Sequence, residues 1–259
     1  MIKVFISLLI TLSFCCMTGC TSGTKNIMRS TAMNNQLTQA LVAYYPFNGD
    51  SRDASGNGND GVNNGALLTT DRFGRNNSAY LFSNCSSITI PEMLSDSCPA
   101  FTFAAWVKQD YKDNNHHMII FHGSQKGETC IGLTNNDILS FGVNLHVPGT
   151  PDDTQNWYVA KINDTLRASI YYFIVGRYVR GQKVDLMVNG ELVSSIGVPN
   201  LNINTNPDRS YSAVGIHTQV GFTQTYCWNG VIDDIRVYTR ALSDEEVQYL
   251  YHERGWTGN

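Results

Sequence analysis

The closing stretch of the chain carries two adjacent aspartates whose chemistry depends on where a strand points them. This stretch is Gly230–Tyr238, GVIDDIRVY, and its isoleucines, valines and tyrosine are typical of a β-strand. Strand alternation places Asp233 on one face with Val231, Ile235 and Val237. An unpaired carboxylate on an apolar face would cost on the order of several kcal/mol. Asp233 therefore needs a partner, either a bound cation or, at an exposed strand end, water.

A second group of acids lies in residues 48–61, NGDSRDASGNGNDG, which are dense in glycine, asparagine and aspartate. This composition predicts a tightly turned loop, because glycine permits positive φ and Asx side chains stabilise turns. Asp50, Asp53 and Asp60, with the backbone carbonyls around them, supply the hard oxygen ligands that calcium prefers. The alternative is that these residues only build turns. The loop is not an EF-hand, since the twelve-residue pattern that ends in glutamate is missing.

Two histidines stand side by side at His116 and His117, and histidine is both a metal ligand and an acid–base group. Adjacent residues of a strand point to opposite faces, so the two side chains cannot easily share one ion. A packing or solvent role is therefore favoured for this pair. No serine or cysteine stands in a recognisable nucleophile motif.

Four aromatic side chains in or beside predicted loops are candidate platforms for a sugar ring. They are Trp157, Tyr158, Trp228 and Tyr111. A flat aromatic face offers a large apolar surface while the polar edge of tyrosine or tryptophan stays hydrated. Each of these residues, taken alone, is more typical of packing than of ligand binding.

The start of the chain, MIKVFISLLITLSFCCMTGC, places one lysine before an apolar run that ends in small residues. This pattern predicts a secretory signal peptide over residues 1–19. The MTGC ending resembles a bacterial lipobox, in which Cys20 becomes the lipidated first residue. A polar, flexible tether is then expected over residues 20–40, with the protein anchored in the cell envelope. Thr21 is consistent with sorting to the outer membrane, and a signal peptide cut elsewhere is the alternative.

Four cysteines remain after the signal is removed: Cys85, Cys98, Cys130 and Cys227. Export makes disulfides possible, and four cysteines allow three pairings. Because Cys85 and Cys98 flank a short segment that resembles a loop, we favour the pairs Cys85–Cys98 and Cys130–Cys227. Four buried thiols are the alternative. No CxxC or Cys/His spacing indicates a zinc site.

Most of the remaining sequence is typical of strands. Short alternating runs such as FTFAAWVK, residues 101–108, recur about a dozen times between residues 41 and 238. Ser243, followed three residues later by Glu246, predicts the capped start of one short C-terminal helix. A net charge of -4 without a basic stripe argues against a nucleic-acid partner. One all-β domain is expected over residues 41–259.

Four segments of this domain together resemble one family. They are YYPFNGDSRDASGNGNDG at residues 44–61, FTFAAWVK at 101–108, KVDLMVNGELV at 183–193 and GVIDDIRVYTRALSDEEV at 230–247. In this order, across residues 41–254, they are similar to the LamG-like jelly roll of the concanavalin A-like lectin/glucanase superfamily. The resemblance implies an all-β, two-sheet antiparallel jelly-roll sandwich whose first and last strands lie side by side.

The resemblance also implies a structural calcium ion. Many members of the superfamily hold calcium between an aspartate of the last strand and oxygens of the first loop. Asp233 matches the strand aspartate, and Asp50 and Asp53 are the candidates in the loop. The expected role of the ion is to pin the two ends of the domain together.

Glucanases of the superfamily carry paired acids on one strand in an ExDxxE arrangement, which this sequence lacks. A non-catalytic function is therefore expected. The leading hypothesis is a lipid-anchored, lectin-like module that binds a glycan at the cell envelope. The first alternative is a structural or adhesion protein that contacts another envelope or surface protein. The second is a glycoside hydrolase or lyase of the same fold.

Overall fold

The computed structural model describes residues 22–113, 115–124, 127–134, 137–150, 156–204, 211–218 and 225–258. The predicted signal peptide and Cys20 lie outside these ranges. The chain divides into two units, Met1–Gln36 and Leu37–Asn259, and the described strands all belong to the second. Within the described ranges, no helix combines the length and the apolar character that crossing a membrane requires.

Helix α1 spans Ser22–Leu37, within the stretch for which the sequence analysis predicted a polar, flexible tether. The helix itself was not predicted for these residues. The stretch has no proline and a single glycine, and its methionines, alanine and leucine are good helix formers. The helix was missed because the prediction depended on apolar periodicity, which is weak in this polar segment.

The strands of the second unit are short and follow one another closely. In chain order they are β1 Leu41–Tyr45, β2 Val62–Asn64, β3 Leu67–Thr69, β4 Ala79–Phe82, β5 Ser87–Ile90, β6 Ala100–Gln109, β7 His117–Ser124, β8 Gly127–Thr134, β9 Ile138–Asn144, β10 Trp157–Thr165, β11 Tyr171–Val179, β12 Lys183–Val188, β13 Glu191–Gly197, β14 Tyr211–Val214, β15 Ile216–Thr218, β16 Thr225–Cys227 and β17 Gly230–Tyr238.

Fifteen of these strands form two antiparallel sheets. The first sheet has eight strands in the order β13-β12-β11-β6-β17-β4-β3, with β1 also paired to β17. The second sheet has seven strands in the order β10-β9-β8-β7-β14-β5-β2, and β15 and β16 form a separate hairpin. One edge of β17 pairs with β6, whereas β1 and β4 share its other edge. The first and last strands are therefore neighbours, as predicted.

The two sheets bury one apolar core between them. Phe101 and Phe103 of β6 contribute from the first sheet, and Ile120 of β7 and Phe141 of β9 from the second. The ring centroids of Phe101 and Phe141 lie 6.0 Å apart in an edge-to-face arrangement, so side chains of the two sheets touch across the sandwich. This two-layer antiparallel architecture confirms the predicted all-β jelly-roll sandwich.

A β-bulge in β17 changes the face on which Asp233 lies. The register against β6 shifts between Asp233 and Arg236, and Asp234 has a positive φ of 45°. An inserted residue breaks the alternation of a strand. As a result Ile232 and Ile235 both face the core between the sheets, and Asp233 does not belong to it. The predicted apolar face for Asp233 is wrong, and its carboxylate lies on the outer face of the first sheet.

The outer face of the first sheet is covered by the C-terminal helix α2, Asp244–Tyr251, followed by a 3-10 turn, Glu253–Gly255. The predicted capping box is confirmed, since Ser243 Oγ accepts from the Glu246 N–H and the Glu246 carboxylate accepts from the Ser243 N–H. Tyr251 of α2 stacks on Trp106 of β6 at 5.7 Å between ring centroids. These contacts fix the end of the chain on the sheet.

One disulfide joins Cys85 to Cys227, which corrects both predicted pairs. Cys85 lies just before β5 and Cys98 lies beyond it, and an extended strand rises about 3.3 Å per residue. This carries the two cysteines apart, and a disulfide needs α-carbons within about 7 Å. Cys98 and Cys130 remain thiols, and the Cys98 thiol donates to the Ala100 carbonyl.

Candidate functional site

The two aspartates of β17 share one arginine. Arg72 Nη1 lies 2.5 Å from Asp233 Oδ2 and 2.6 Å from Asp234 Oδ2, and the three side chains are fully buried. Burial and the neighbouring charge of Asp234 raise the pKa of Asp233 to about 8. Although burial opposes it, the charges of Arg236 and Arg72 hold the pKa of Asp234 below its usual range. The arginine therefore faces one carboxylate and one carboxyl group that keeps its proton near neutral pH.

Arg72 is the residue that sequence reasoning missed at this place. Its guanidinium carbon lies 4.6 Å from the ring centroid of Phe73 and 4.5 Å from that of Trp106. The Asp71 carboxylate shapes the short loop by accepting from the backbone N–H groups of Phe73 and Arg75. An arginine held between rings and beside two carboxylates neutralises buried negative charge. Arg72 thus supplies the partner that the sequence analysis sought for Asp233.

The opening loop is organised around the carboxylate of Asp53. This carboxylate accepts hydrogen bonds from the backbone N–H groups of Tyr44 at 2.9 Å, Ser55 at 2.8 Å and Asn59 at 3.0 Å. Although partial burial opposes it, these bonds lower the pKa of Asp53. Asp60 in turn accepts from the Asp53 N–H at 2.8 Å. The loop is therefore tied to β1 through Asp53.

The three predicted calcium ligands are not brought together by the fold. Asp233 pairs with Arg72, and the Asp53 carboxylate accepts hydrogen bonds from its own loop and from Tyr44 of β1. Asp50 is an exposed side chain whose carboxylate lies 3.6 Å from Arg52 Nε. Across the described ranges, the group of three histidine, cysteine or acidic ligands within 4.8 Å of one another lies elsewhere.

Calcium binding at the opening loop stays a prediction. If the opening loop and Asp233 of the closing strand hold the ion as predicted, adding Ca²⁺ to chelator-treated protein at about one hundred times its Kd should stabilise the fold by about 2.7 kcal/mol. For a domain of this size, such a gain corresponds to a rise in Tm of about 5–10 °C. Thermal denaturation with and without Ca²⁺ measures this shift, and an unchanged midpoint would contradict a stabilising site.

The four predicted sugar platforms occupy different environments. Trp228 is fully buried in the core, so its assignment as a platform is wrong. Tyr158 is partly buried and packs against the same core. Tyr111 is 51% exposed in the segment after β6. Trp157, at the start of β10, is half-buried.

A set of stacked rings lies on the outer face of the second sheet, and we call it the aromatic row. Its members, in spatial order, are His116, Tyr226, His217, Phe121 and Tyr211. Successive ring centroids along the row are 4.7, 5.6, 4.2 and 4.9 Å apart. These separations are typical of stacked aromatic pairs. The row is thus a chain of contacting rings whose two middle members, His217 and Phe121, are buried.

Strand alternation places the row on this face. Ile120 of β7 belongs to the core between the sheets, so Phe121 points the other way. Ala213 pairs with Phe121 in the sheet, and Tyr211 lies two residues before Ala213 and therefore on the same face. The hairpin of β15 and β16 adds His217 to the middle of the row and Tyr226 beside it. Phe121 is fully buried under these rings, whereas Tyr211 is partly exposed.

Trp157 lies on the same face as the aromatic row. A Cβ built on Gly142 would lie 3.1 Å from the Trp157 ring, so the indole covers this glycine. Cys130 of β8 pairs with Phe121 of β7 on one side and with Gly142 of β9 on the other. These three paired residues span about 10 Å at ordinary strand spacing. The face therefore has aromatic rings at both sides and small side chains between them.

Sequence reasoning missed four members of the aromatic row and gave His116 only a packing or solvent role. Alternation in HMIIFH and YSAVGI does place Phe121 and Tyr211 on one face of their own strands. It gives no indication that these strands are neighbours, because β7 and β14 are distant in sequence. The stack of Tyr226 on His217 depends on the separate hairpin.

Comparison with protein families assigns the fold. The family model Laminin_G_3, described as concanavalin A-like lectin/glucanases superfamily, matches residues 82–248, which is more than half of the chain. The chain belongs to this family. This assignment confirms the LamG-like resemblance drawn from the closing strand and the strand segments. Comparison with curated proteins found no significant match to the chain.

Solved structures of similar fold include domains from larger enzymes and toxins. Domain 4 of AbnA, a GH43 extracellular arabinanase from Geobacillus stearothermophilus solved with arabinotriose, has a TM-score of 0.62 at 21% identity, covering 82% of this chain and 98% of that one. The ligand-binding domain of botulinum neurotoxin serotype D, solved with N-acetylneuraminic acid, has a TM-score of 0.63 at 13% identity. The match covers 86% of this chain and 53% of the toxin domain. This laminin-G-like chain spans about half the length of that toxin domain, and the likeness shows a shared fold.

Proposed function

We propose that this chain is a non-catalytic carbohydrate-binding module, lipid-anchored in the bacterial cell envelope, that binds a glycan on the outer face of its second sheet. The observation that supports the proposal is the aromatic row, with Trp157 on the same face. Solved domains of this fold were crystallised with arabinotriose and with N-acetylneuraminic acid. The lipobox-like residues before Cys20 support the envelope location.

The partly exposed rings suit a sugar for a physical reason. Tyr211, Tyr226 and Trp157 each keep part of their ring at the surface, while neighbouring rings or the sheet hold them in place. A ring that is already ordered loses little side-chain entropy when a ligand stacks on it. The polar edges of tyrosine and tryptophan can then bond to hydroxyl groups. The face therefore offers apolar stacking and hydrogen bonding together, as glycan binding requires.

The buried acids support a binding role rather than hydrolysis. A glycosidase needs a proton donor and a second carboxylate that both face the substrate. Asp185 pairs with Arg177 at 2.7 Å, and Glu246 pairs with Arg240 at 2.6 Å. Asp233 shares an arginine with its neighbour on β17. These acidic side chains are therefore engaged with arginines of the fold.

Truncating the rings should weaken glycan binding. For a glycan identified on an array, we expect Tyr226→Ala, Tyr211→Ala and Trp157→Ala each to cost about 0.5–1.5 kcal/mol, which is about two- to tenfold in Kd. Isothermal titration calorimetry with that glycan measures the change. Tyr111→Ala is the matched control, because Tyr111 is exposed and lies off the row. A loss of affinity in Tyr111→Ala alone would contradict the proposed face, and an array without any glycan signal would contradict the proposed function.

A further inference from the structure

Three ligating side chains from separate segments meet next to the disulfide. They are Asp113 after β6, His117 at the start of β7 and Asp137 in the turn before β9, and their ligand atoms all lie within 4.8 Å of one another. We propose that they bind a divalent first-row transition metal, with Zn²⁺ as the best fit. The three side chains of this site are not members of the aromatic row, and the proposal does not depend on the proposed glycan binding.

The hydrogen bonds of His117 present its second nitrogen as a ligand. His117 Nδ1 lies 2.7 Å from the Cys227 carbonyl oxygen, which can only accept, so Nδ1 carries a proton and donates it. In the neutral ring Nε2 then has a lone pair. Nε2 points at Asp113 Oδ1, 2.6 Å away. At 2.6 Å the two atoms share a proton in a hydrogen bond, and a bound metal ion would replace that proton and hold the two atoms about 3.3 Å apart. Metal-bound histidines commonly donate their other N–H to a carbonyl, as Nδ1 does here.

Gln109 provides an independent indication of a ligand. The side chain is 1% exposed, and its Oε1 has no hydrogen-bond partner within the described part of the chain. The other end of this amide, Nε2, lies 3.5 Å from Asp137 Oδ1, which is long for a hydrogen bond to a carboxylate. Metal–ligand distances of about 2.0–2.2 Å place two ligands of a tetrahedral ion about 3.3–3.6 Å apart. In this structure the amide nitrogen faces Asp137, and a 180° flip of the amide, which exchanges O and N, would present the oxygen to the ion as a fourth ligand.

The donor set determines the class of metal. One imidazole nitrogen with two carboxylates and an amide oxygen is a mixed nitrogen and oxygen set, which zinc and its first-row neighbours accept. Calcium and magnesium prefer oxygen ligands alone. His117 and Asp137 are each 2% exposed, whereas the Asp113 side chain is 26% exposed, so solvent reaches the site from the side of Asp113. A bound ion would cross-link the segment after β6 with β7 and with the turn before β9.

The site is tested by isothermal titration calorimetry, in which Zn²⁺ is titrated into the chelator-treated mature chain. We expect saturable binding that weakens at least about tenfold in Asp137→Asn and in His117→Gln. Asp137→Asn keeps the shape of the side chain, so it decides the outcome if His117→Gln fails to fold. Asp110→Asn is the matched control, because it removes the same charge from an exposed position nearby and should bind Zn²⁺ as the wild type does.

Two further measurements sharpen the result. Anomalous scattering at the zinc edge from a zinc-soaked crystal should place the ion between Asp113, His117 and Asp137. Ca²⁺ titrated in place of Zn²⁺ should leave the site unoccupied. No Zn²⁺ binding by the wild-type chain, or equal binding by wild type and Asp137→Asn, would overturn the proposal.

Discussion

Replacing Arg72 by methionine should lower the free energy of unfolding by about 3–5 kcal/mol, because it removes the buried cation that contacts both Asp233 and the ionised Asp234. Arg72 Nη1 contacts both Asp233 and Asp234, and all three side chains are fully buried. Methionine keeps much of the apolar contact with Trp106, so the loss of stability reflects mainly the missing positive charge. Urea unfolding at pH 7, followed by circular dichroism, measures the change.

Two comparisons separate this effect from a general loss of packing. Arg52→Met should change stability by less than about 0.5 kcal/mol, since Arg52 and Asp50 form an exposed pair. Arg72→Met removes a cation that lowers the pKa of both Asp233 and Asp234, although Arg236 and Arg254 still act on Asp234, so the folded variant binds more protons than the folded wild type. The stability of the variant relative to wild type then falls as the pH rises, and its deficit should be smaller at pH 5 than at pH 8. A deficit that is equal at both pH values would show that charge is not its cause.

Removing the disulfide should have the second largest effect. The bond between Cys85 and Cys227 closes a loop with a sequence separation of 142 residues. Cross-linking so long a loop restricts the unfolded chain strongly, and the Cys85→Ser, Cys227→Ser double variant should lose about 2–5 kcal/mol. Urea unfolding of the oxidised wild type and of the double variant gives the difference.

The control for the disulfide also tests the pairing. Cys98 is a buried thiol that donates to the Ala100 carbonyl, and serine can make the same hydrogen bond. Cys98→Ser should therefore cost about 1 kcal/mol or less. If the bond were Cys85–Cys98, as the spacing suggested, Cys98→Ser would instead be as damaging as Cys85→Ser. Mass mapping of peptides from the oxidised protein identifies the pair directly.

Much of the fold could be predicted from local patterns. Asn189 and Gly190 both have positive φ, 51° and 85°, as a tight hairpin between β12 and β13 requires. The capping box at Ser243 and the adjacency of first and last strands were also predicted correctly. Each of these features depends on a few neighbouring residues or on a family pattern that spans the domain.

The errors arose at one irregularity within a strand and where distant segments meet. The bulge at Asp234 breaks the strict alternation used to place Asp233, and alternation carries no sign of an inserted residue. Arg72 lies far from both aspartates in sequence, so no spacing rule connects them. The true partner of Cys85 is likewise set by the folded sheets. Phe121 and Tyr211 become neighbours only because β7 pairs with β14.

The most direct test of the proposed function is to locate a bound glycan. A crystal structure, or NMR shift mapping, with the best glycan from an array should place the sugar against Tyr211, Tyr226 and Trp157 on the outer face of the second sheet. The account predicts at least one sugar ring stacked on one of these side chains. A glycan bound at Tyr111, or on the outer face of the first sheet, would contradict it.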